Sequence, residues 1–143
     1  MSVKQISVFL ENKRGRLAEV TAILNSQGIN IRALALADTA DFGVLRLIVN
    51  DTEKCFAALK QAGFVAQKTE VVAVEIADRP GGLQRVLSVF DRAGLNIEYM
   101  YAFVERKADN AIVIFRLDQP EKAAKALSAE GFSVLAEEAV EKM

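Results

Sequence analysis

The chain has 143 residues, 52% hydrophobic and 26% charged, with a formal net charge of -1 from 18 basic and 19 acidic side chains. This is globular composition with enough apolar material for a core, which excludes a disordered chain. No bulk positive charge is available for a phosphate polyanion or an anionic surface, so neither nucleic acid nor a membrane is an expected partner.

With no histidine and with Cys55 as the single cysteine, Ser-His and Cys-His nucleophile pairs, His or Cys metal clusters and an intrachain disulfide are excluded. No metal, no cofactor and no catalytic residue are expected. The longest uncharged run, Val20 to Ile31, has 12 residues, whereas a spanning helix needs about 20 apolar ones. The alternation of Val3, Ile6 and Val8 meets Glu11 before a signal-peptide core forms. A cytoplasmic location is the expectation, and the lone thiol agrees with it.

The chain repeats itself. At an offset of 66 (15 to 81), Glu11 to Ile31 lies over Ala77 to Ile97 with six identities: Gly15/Gly81, Leu17/Leu83, Val20/Val86, Gly28/Gly94, Asn30/Asn96 and Ile31/Ile97. At an offset of 68 (53 to 121), Glu53 to Phe64 lies over Glu121 to Phe132 with six identities in 12 positions. The change of offset places two extra residues between Ile97 and Ile112, in a loop.

Each copy then reads in chain order. Residues 3 to 10 alternate as a half-buried strand does, and Val71 to Ala77 is the twin. From Gly15 to Gln27, Leu17, Val20, Ile23 and Leu24 form a helical stripe, repeated by Leu83, Val86, Leu87 and Phe90. Gly28 and Gly94 follow the last turns as left-handed stops, and Pro80 is expected just inside the second start. Ile31 to Ala37 with Val44 to Val49, and Ile97 to Val104 with Ala111 to Leu117, read as hairpins whose turns are Asp38 to Gly43 and Glu105 to Asn110. Thr52 and Asp118 are expected helix caps, Pro120 lies in a first turn, and Gly63 and Gly131 are stops. Short strands follow at Phe64 to Thr69 and Phe132 to Glu137, and Glu138 to Met143 reads as a frayed tail.

The order is βαββαβ, twice. Right-handed crossovers bring both helices of a copy to one face of an antiparallel sheet, the ferredoxin-like arrangement of the α+β class. Residues 1–69 and 70–143 are the expected domains. A unit this small is marginal alone, so the two are expected side by side. Exposed edges and uncovered sheet faces point to further association, and a homodimer is the expectation.

The stretch Ser7 to Leu17 (SVFLENKRGRL) followed by Gly28-Ile29-Asn30-Ile31 resembles the start of an ACT domain, a small amino-acid-sensing module of metabolic enzymes and regulators. Ala77 to Leu83 (ADRPGGL) followed by Gly94-Leu95-Asn96-Ile97 fits better, because it carries the usual Pro-Gly pair. The resemblance covers nearly the whole chain. It implies a free amino acid held where two such domains meet, near the first loop and the start of the second strand. Carried over, the loop positions are Asn12 and Asp78, and the strand entries are Asn30 with Ile31 and Asn96 with Ile97. Loop backbone at Arg14, Gly15, Arg16 and Leu17, or at Pro80, Gly81, Gly82 and Leu83, would receive the carboxylate at a helix N-terminus. Pro80 itself has no N–H to give. An Asn or Asp oxygen would accept from the ammonium group. Arg14 replaces the usual proline, so the two sites are expected to be unequal. The partner would be a metabolic enzyme or the chain's own second copy.

Plainer readings stand beside these. Gly15 and Gly81 suit a tight turn with no ligand. Asn30 and Asn96 suit local backbone bonding, and Asn12 and Asp78 suit helix capping. Tyr99, Met100, Tyr101 and Phe103 serve either as packing or as an apolar ligand wall, which with the lack of a side-chain counter-ion favours an apolar amino acid. Cys55 is a core thiol. Two alternative functions remain: a regulatory subunit like the small subunit of acetolactate synthase, which Ser7 to Ile31 also resembles, and a structural oligomerisation module with vestigial sites.

Overall fold

The computed structural model describes residues 2–38, 41–104 and 108–143. In chain order the elements are β1 (Val3–Glu11), α1 (Arg16–Ser26), β2 (Ile31–Asp38), β3 (Phe42–Val49), α2 (Thr52–Gln61), β4 (Val65–Ala77), α3 (Gly82–Arg92), β5 (Ile97–Ala102), β6 (Asn110–Leu117), α4 (Pro120–Ala129), β7 (Ser133–Leu135) and α5 (Glu137–Glu141). Of the expected turns, Asp38 to Gly43 and Glu105 to Asn110, residues 39–40 and 105–107 lie outside the described residues. No helix among the described residues is long and apolar enough to cross a membrane.

Two compact units divide the chain. The first comprises Lys4–Thr69 with Glu141–Met143, and the second comprises Glu70–Val140 with the N-terminal residues through Val3. In the first, the strand order is β2-β3-β1-β4. β1 pairs antiparallel with β3 (Ile6 opposite Leu47, Leu10 opposite Gly43), and β2 pairs with the other edge of β3 (Leu34 opposite Leu47). In the second, β5-β6-β4 continues to β7, again antiparallel (Met100 opposite Phe115, Val74 opposite both Val113 and Val134). Both are ferredoxin-like βαββαβ arrangements.

Alternation places each core on the helix side of its sheet. In the first unit Ile6, Val8 and Leu10 of β1 and Leu45, Leu47 and Val49 of β3 meet Val20 and Leu24 of α1 and Cys55 and Leu59 of α2. In the second, Val72, Val74, Val113 and Phe115 meet Val86, Phe90, Ala123 and Leu127, with the Phe90 and Phe115 rings edge to face at 5.0 Å. Each such fully buried leucine, valine or phenylalanine contributes about 1.5–3 kcal/mol. Residues on the opposite faces are buried as well: Ala33 and Ile48 in the first unit, and Ala73 and Ile114 in the second.

Helix ends follow local chemistry. After α1 the Ile29 N–H returns to the Leu24 carbonyl at 3.0 Å and that of Gly28 to Asn25 at 3.1 Å, with Gly28 at φ 67°. This paired closure needs a left-handed residue followed by an apolar one packed on the last turn. Leu95 and Gly94 repeat it after α3, bonding Phe90 and Asp91.

Four local expectations are corrected. Phe64 to Thr69 and Val71 to Ala77 are one strand, β4, because the intervening Glu70 is neither glycine nor proline and pairing continues through it. Thr52 is not a cap: Asp51 is, its carboxylate accepting the Lys54 N–H at 3.1 Å, and Thr52 is the first helical residue. Asp118 is not a cap either, since Gln119 precedes Pro120 there without a side-chain bond. The tail forms α5, with Val140 buried, because burying that side chain outweighs fraying.

Candidate functional site

The segment between β1 and α1 is a tight turn. The Arg16 N–H donates to the Lys13 carbonyl at 3.3 Å, and Gly15 sits at φ 88°, ψ -10°. Those values are the third position of a type II turn, where glycine is favoured and proline suits the position before it. The second unit repeats the turn as Arg79-Pro80-Gly81-Gly82, with Gly82 N–H to Arg79 carbonyl at 3.0 Å and Gly81 at φ 88°, ψ -12°. Pro80 therefore precedes α3 rather than lying inside it, and Arg14 occupies the same turn position in the first unit.

Gly82 has a further constraint. A β-carbon there would collide with the Ala77 carbonyl oxygen, so the residue is buried for close packing and offers no room for a ligand.

The helix N-caps are Gly15 and Gly81, without side-chain cap bonds. Neither Asn12 nor Asp78 is therefore the N-cap residue. Their own N–H groups tie the loop to the neighbouring hairpin, Asn12 to the Asp41 carbonyl at 3.0 Å and Asp78 to that of Asp109 at 3.3 Å.

The loop's donors divide accordingly. The N–H groups of Arg16 and Gly82 are consumed by the turns. Those of Leu17 and Ala18, and of Leu83 and Gln84, have no acceptor among the described residues. These are the orphan donors of a helix start, at its positive dipole end.

In the first unit the loop encloses a cavity of about 100 Å³, lined by Leu10, Glu11, Asn12, Lys13, Arg16, Leu17, Leu36 and Gly43. Three of the expected residues, Asn12, Arg16 and Leu17, thus share a concave surface. Arg14 and Gly15 lie on the adjoining turn, both exposed.

Charge concentrates here. Arg16 bonds Glu19 at 3.0 Å through Nη1 and Glu11 at 3.3 Å through Nη2, and its guanidinium lies 5.2 Å from the centre of the Phe64 ring. Lys13 Nζ is 2.9 Å from the other Glu11 oxygen. The Lys13 hydrogen bond and charge, with a smaller contribution from Arg16, hold the Glu11 carboxyl below its ordinary 4.5. Glu11 and Glu19 were not among the residues read from the sequence. The signal available was local: Arg16 and Glu19 are spaced for contact on one helical turn.

Asn30 does not reach this cavity. Asp38 and Leu10 both lie opposite Gly43, while Ile31 lies opposite Val49 at the other end of the sheet. At about 3.3 Å per strand residue the separation is roughly 20 Å. No single unit brings its loop together with its own strand entry.

What the strand entries have instead is a backbone clamp. Asn50 Oδ1 accepts the Asn30 N–H at 2.9 Å, and the Asn50 N–H donates to the Asn30 carbonyl at 3.1 Å. Asp118 does the same for Asn96, at 3.2 and 3.4 Å. Asn50 was missed, and Asp118 was assigned a cap instead of this role. The side chains of Asn30 and Asn96 remain exposed, and Ile31 and Ile97 are half-buried.

Tyr99 and Tyr101 stack at 6.5 Å and point away from the core side, since Met100 between them faces Phe115. Cys55 is buried in the core, and desolvation, aided by the Asp51 charge, raises its thiol to about 12.

The family model described as "ACT domain pair" matches residues 1–143. The crystal structure of protein BT0572 from Bacteroides thetaiotaomicron is 40% identical, covers 100% of this chain and 98% of its own, and superposes with a TM-score of 0.94. The ligand-free regulatory subunit of aspartate kinase from Thermus thermophilus is 18% identical over 90% of this chain and 92% of its own, with a TM-score of 0.64. At that identity the likeness is one of fold. No curated protein sequence matches the chain.

Proposed function

The chain belongs to the ACT domain family as a tandem ACT pair, and we propose that it is a non-catalytic regulatory protein that senses a free amino acid. The observation that carries this reading is the cavity between β1 and α1. It places Asn12, Arg16 and Leu17 around a space of about 100 Å³, beside helix-start N–H groups that lack acceptors among the described residues.

A zwitterion needs donors and an acceptor close together, and this corner supplies both. The volume suits a small ligand, well below the roughly 300 Å³ at which drug-sized sites begin. Leu10, Leu17 and Leu36 in the lining favour an apolar side chain.

Sensing becomes regulation only if the ligand favours one state of an assembly over another. The partner in this reading is a second copy of the chain or a metabolic enzyme, in the cytoplasm. The aspartate kinase regulatory subunit supplies a precedent of fold.

A thermal-shift panel of the twenty amino acids at millimolar concentration tests the reading. A ligand that binds only the folded state at about 100 times its Kd adds roughly 2.7 kcal/mol. Selective shifts from one or a few amino acids are the expected result. A uniformly flat panel, with a stable oligomer, would favour the structural module with vestigial sites.

A further inference from the structure

The two units carry different chemistry at the same turn. Glu11, Lys13, Arg16 and Glu19 of the first unit correspond, at the repeat offset of 66 (15 to 81), to Ala77, Arg79, Gly82 and Arg85. The ion-pair network is therefore built in one unit alone, and the second has no acidic partner at these four positions.

Within that network one atom is left over. Arg16 Nε is buried and has no hydrogen-bond partner, although both terminal nitrogens of the same guanidinium are paired. Arg32 and Arg46 also bury an Nε, but Arg16 is the one that lines this cavity. A buried donor without an acceptor is costly, and a guanidinium edge is shaped to take two carboxylate oxygens at once.

The pairs that hold Arg16 are weak ones. Glu11 and Glu19 side chains are 46% and 51% exposed, so solvent screens both contacts and little is lost by exchanging them. A ligand bearing one carboxylate and one ammonium group replaces an internal ion pair charge for charge. The guanidinium also lies over the Phe64 ring, 5.2 Å from its centre, an attraction that involves neither Glu11 nor Glu19.

Resting on the amino-acid-sensing reading above, we propose that the first unit recognises a small apolar amino acid by ion-pair exchange. Arg16 takes the carboxylate through its Nε edge, Glu11 turns from Arg16 to the ammonium group, and Leu10, Leu17 and Leu36 receive the side chain. The second unit does not bind in this way. Arg16 and Glu11 are then the residues that read the two charged ends.

Isothermal titration of the full chain with L-alanine, L-valine and L-leucine, each beside its N-acetyl acid and its primary amide, tests the assignment. The N-acetyl form lacks the ammonium group and the amide lacks the carboxylate. Wild type is expected to prefer the free amino acid about tenfold or more over either blocked form. Arg16→Gln is expected to erase the preference over the amide, and Glu11→Gln the preference over the N-acetyl acid. Arg16→Lys keeps the charge without the fork, and is expected to lose most of the carboxylate preference; it stands in if the glutamine variant fails to fold. Arg79→Gln in the second unit is expected to leave both preferences intact.

If the free amino acid binds wild type and both preferences survive in the Arg16 and Glu11 variants, or vanish only in Arg79→Gln, the exchange mechanism is wrong while amino-acid sensing stands. If none of the twenty amino acids binds, the sensing reading itself falls and the mechanism with it.

Discussion

Asn50 grips Asn30 through two bonds at once, its side-chain oxygen taking the Asn30 N–H at 2.9 Å and its own N–H reaching the Asn30 carbonyl at 3.1 Å. The Asn30 contribution is main chain in both. Replacing Asn50 by alanine is expected to destabilise the protein by about 1–2 kcal/mol, because a backbone donor loses its partner. Asn30→Ala is expected to stay within about 0.5 kcal/mol. Urea unfolding of the two variants separates them; equal losses would mean that the Asn30 side chain bears load of its own.

Adjacent glycines in the second unit do different jobs. Gly82→Ala is expected to cost about 1–3 kcal/mol, since its β-carbon runs into the Ala77 carbonyl. Gly81→Ala meets nothing within 4 Å. It is expected to cost about 1–2 kcal/mol solely from the left-handed backbone at φ 88°. Thermal melts compare them, and a neutral Gly82→Ala would contradict the close approach.

Cys55 is expected to be inert toward thiol reagents in the native protein at pH 8 and to react fully in urea. Burial raises its thiol from 9.0 to about 12, so the unfolded chain releases this proton first. The associated stability is intact below pH 9 and is lost as pH climbs through that window toward 12. Cys55→Ala, which installs the residue that the repeat carries at Ala123, is expected to show a shallower alkaline loss. An unchanged slope would place the titration elsewhere.

Glu11 is expected to titrate below 4.5 in a carboxyl-detected NMR series, with Lys13 as the main cause and Arg16 a lesser one. Lys13→Ala should move the midpoint up more than Arg16→Gln does. Because the folded form is the more acidic, the associated stability is present above 4.5 and is lost as pH falls through the lowered value. A larger effect from Arg16→Gln would reverse the assigned order of causes.

How much of this was readable in the chain depends on how far apart the interacting groups lie. Gly15 and Gly81, the Pro80-Gly81 pair, and the helix stops Gly28 and Gly94 act on bonds between residues a few positions apart. The duplicated unit, its helices and its tight turns were therefore legible, and the alternation of Ile6, Val8 and Leu10 was enough to place the core face, with Val3 at the opposite parity. The union of two short strands into β4 was not, since a single intervening Glu70 neither breaks a strand nor promises its continuation; pairing with β1 as well as with β6 and β7 decides it.

The same divide runs through the site. The position of the loop was legible as a motif, and the orphan donors at Leu17 and Leu83 follow from the helix starts. The separation of Asn30 from that loop came from the sheet register, which puts the two ends of β2 about 20 Å apart. Asn50 could not be assigned to Asn30, twenty positions earlier in the chain, and Arg16 could not be assigned jointly to Glu11, Glu19 and Phe64. By itself the sequence determined a pair of ACT units with turns set by local backbone preference. Tertiary structure alone decided which side chains meet, because hydrogen bonds and ion pairs depend on distances of about 3 Å that only the packed sheets and helices impose.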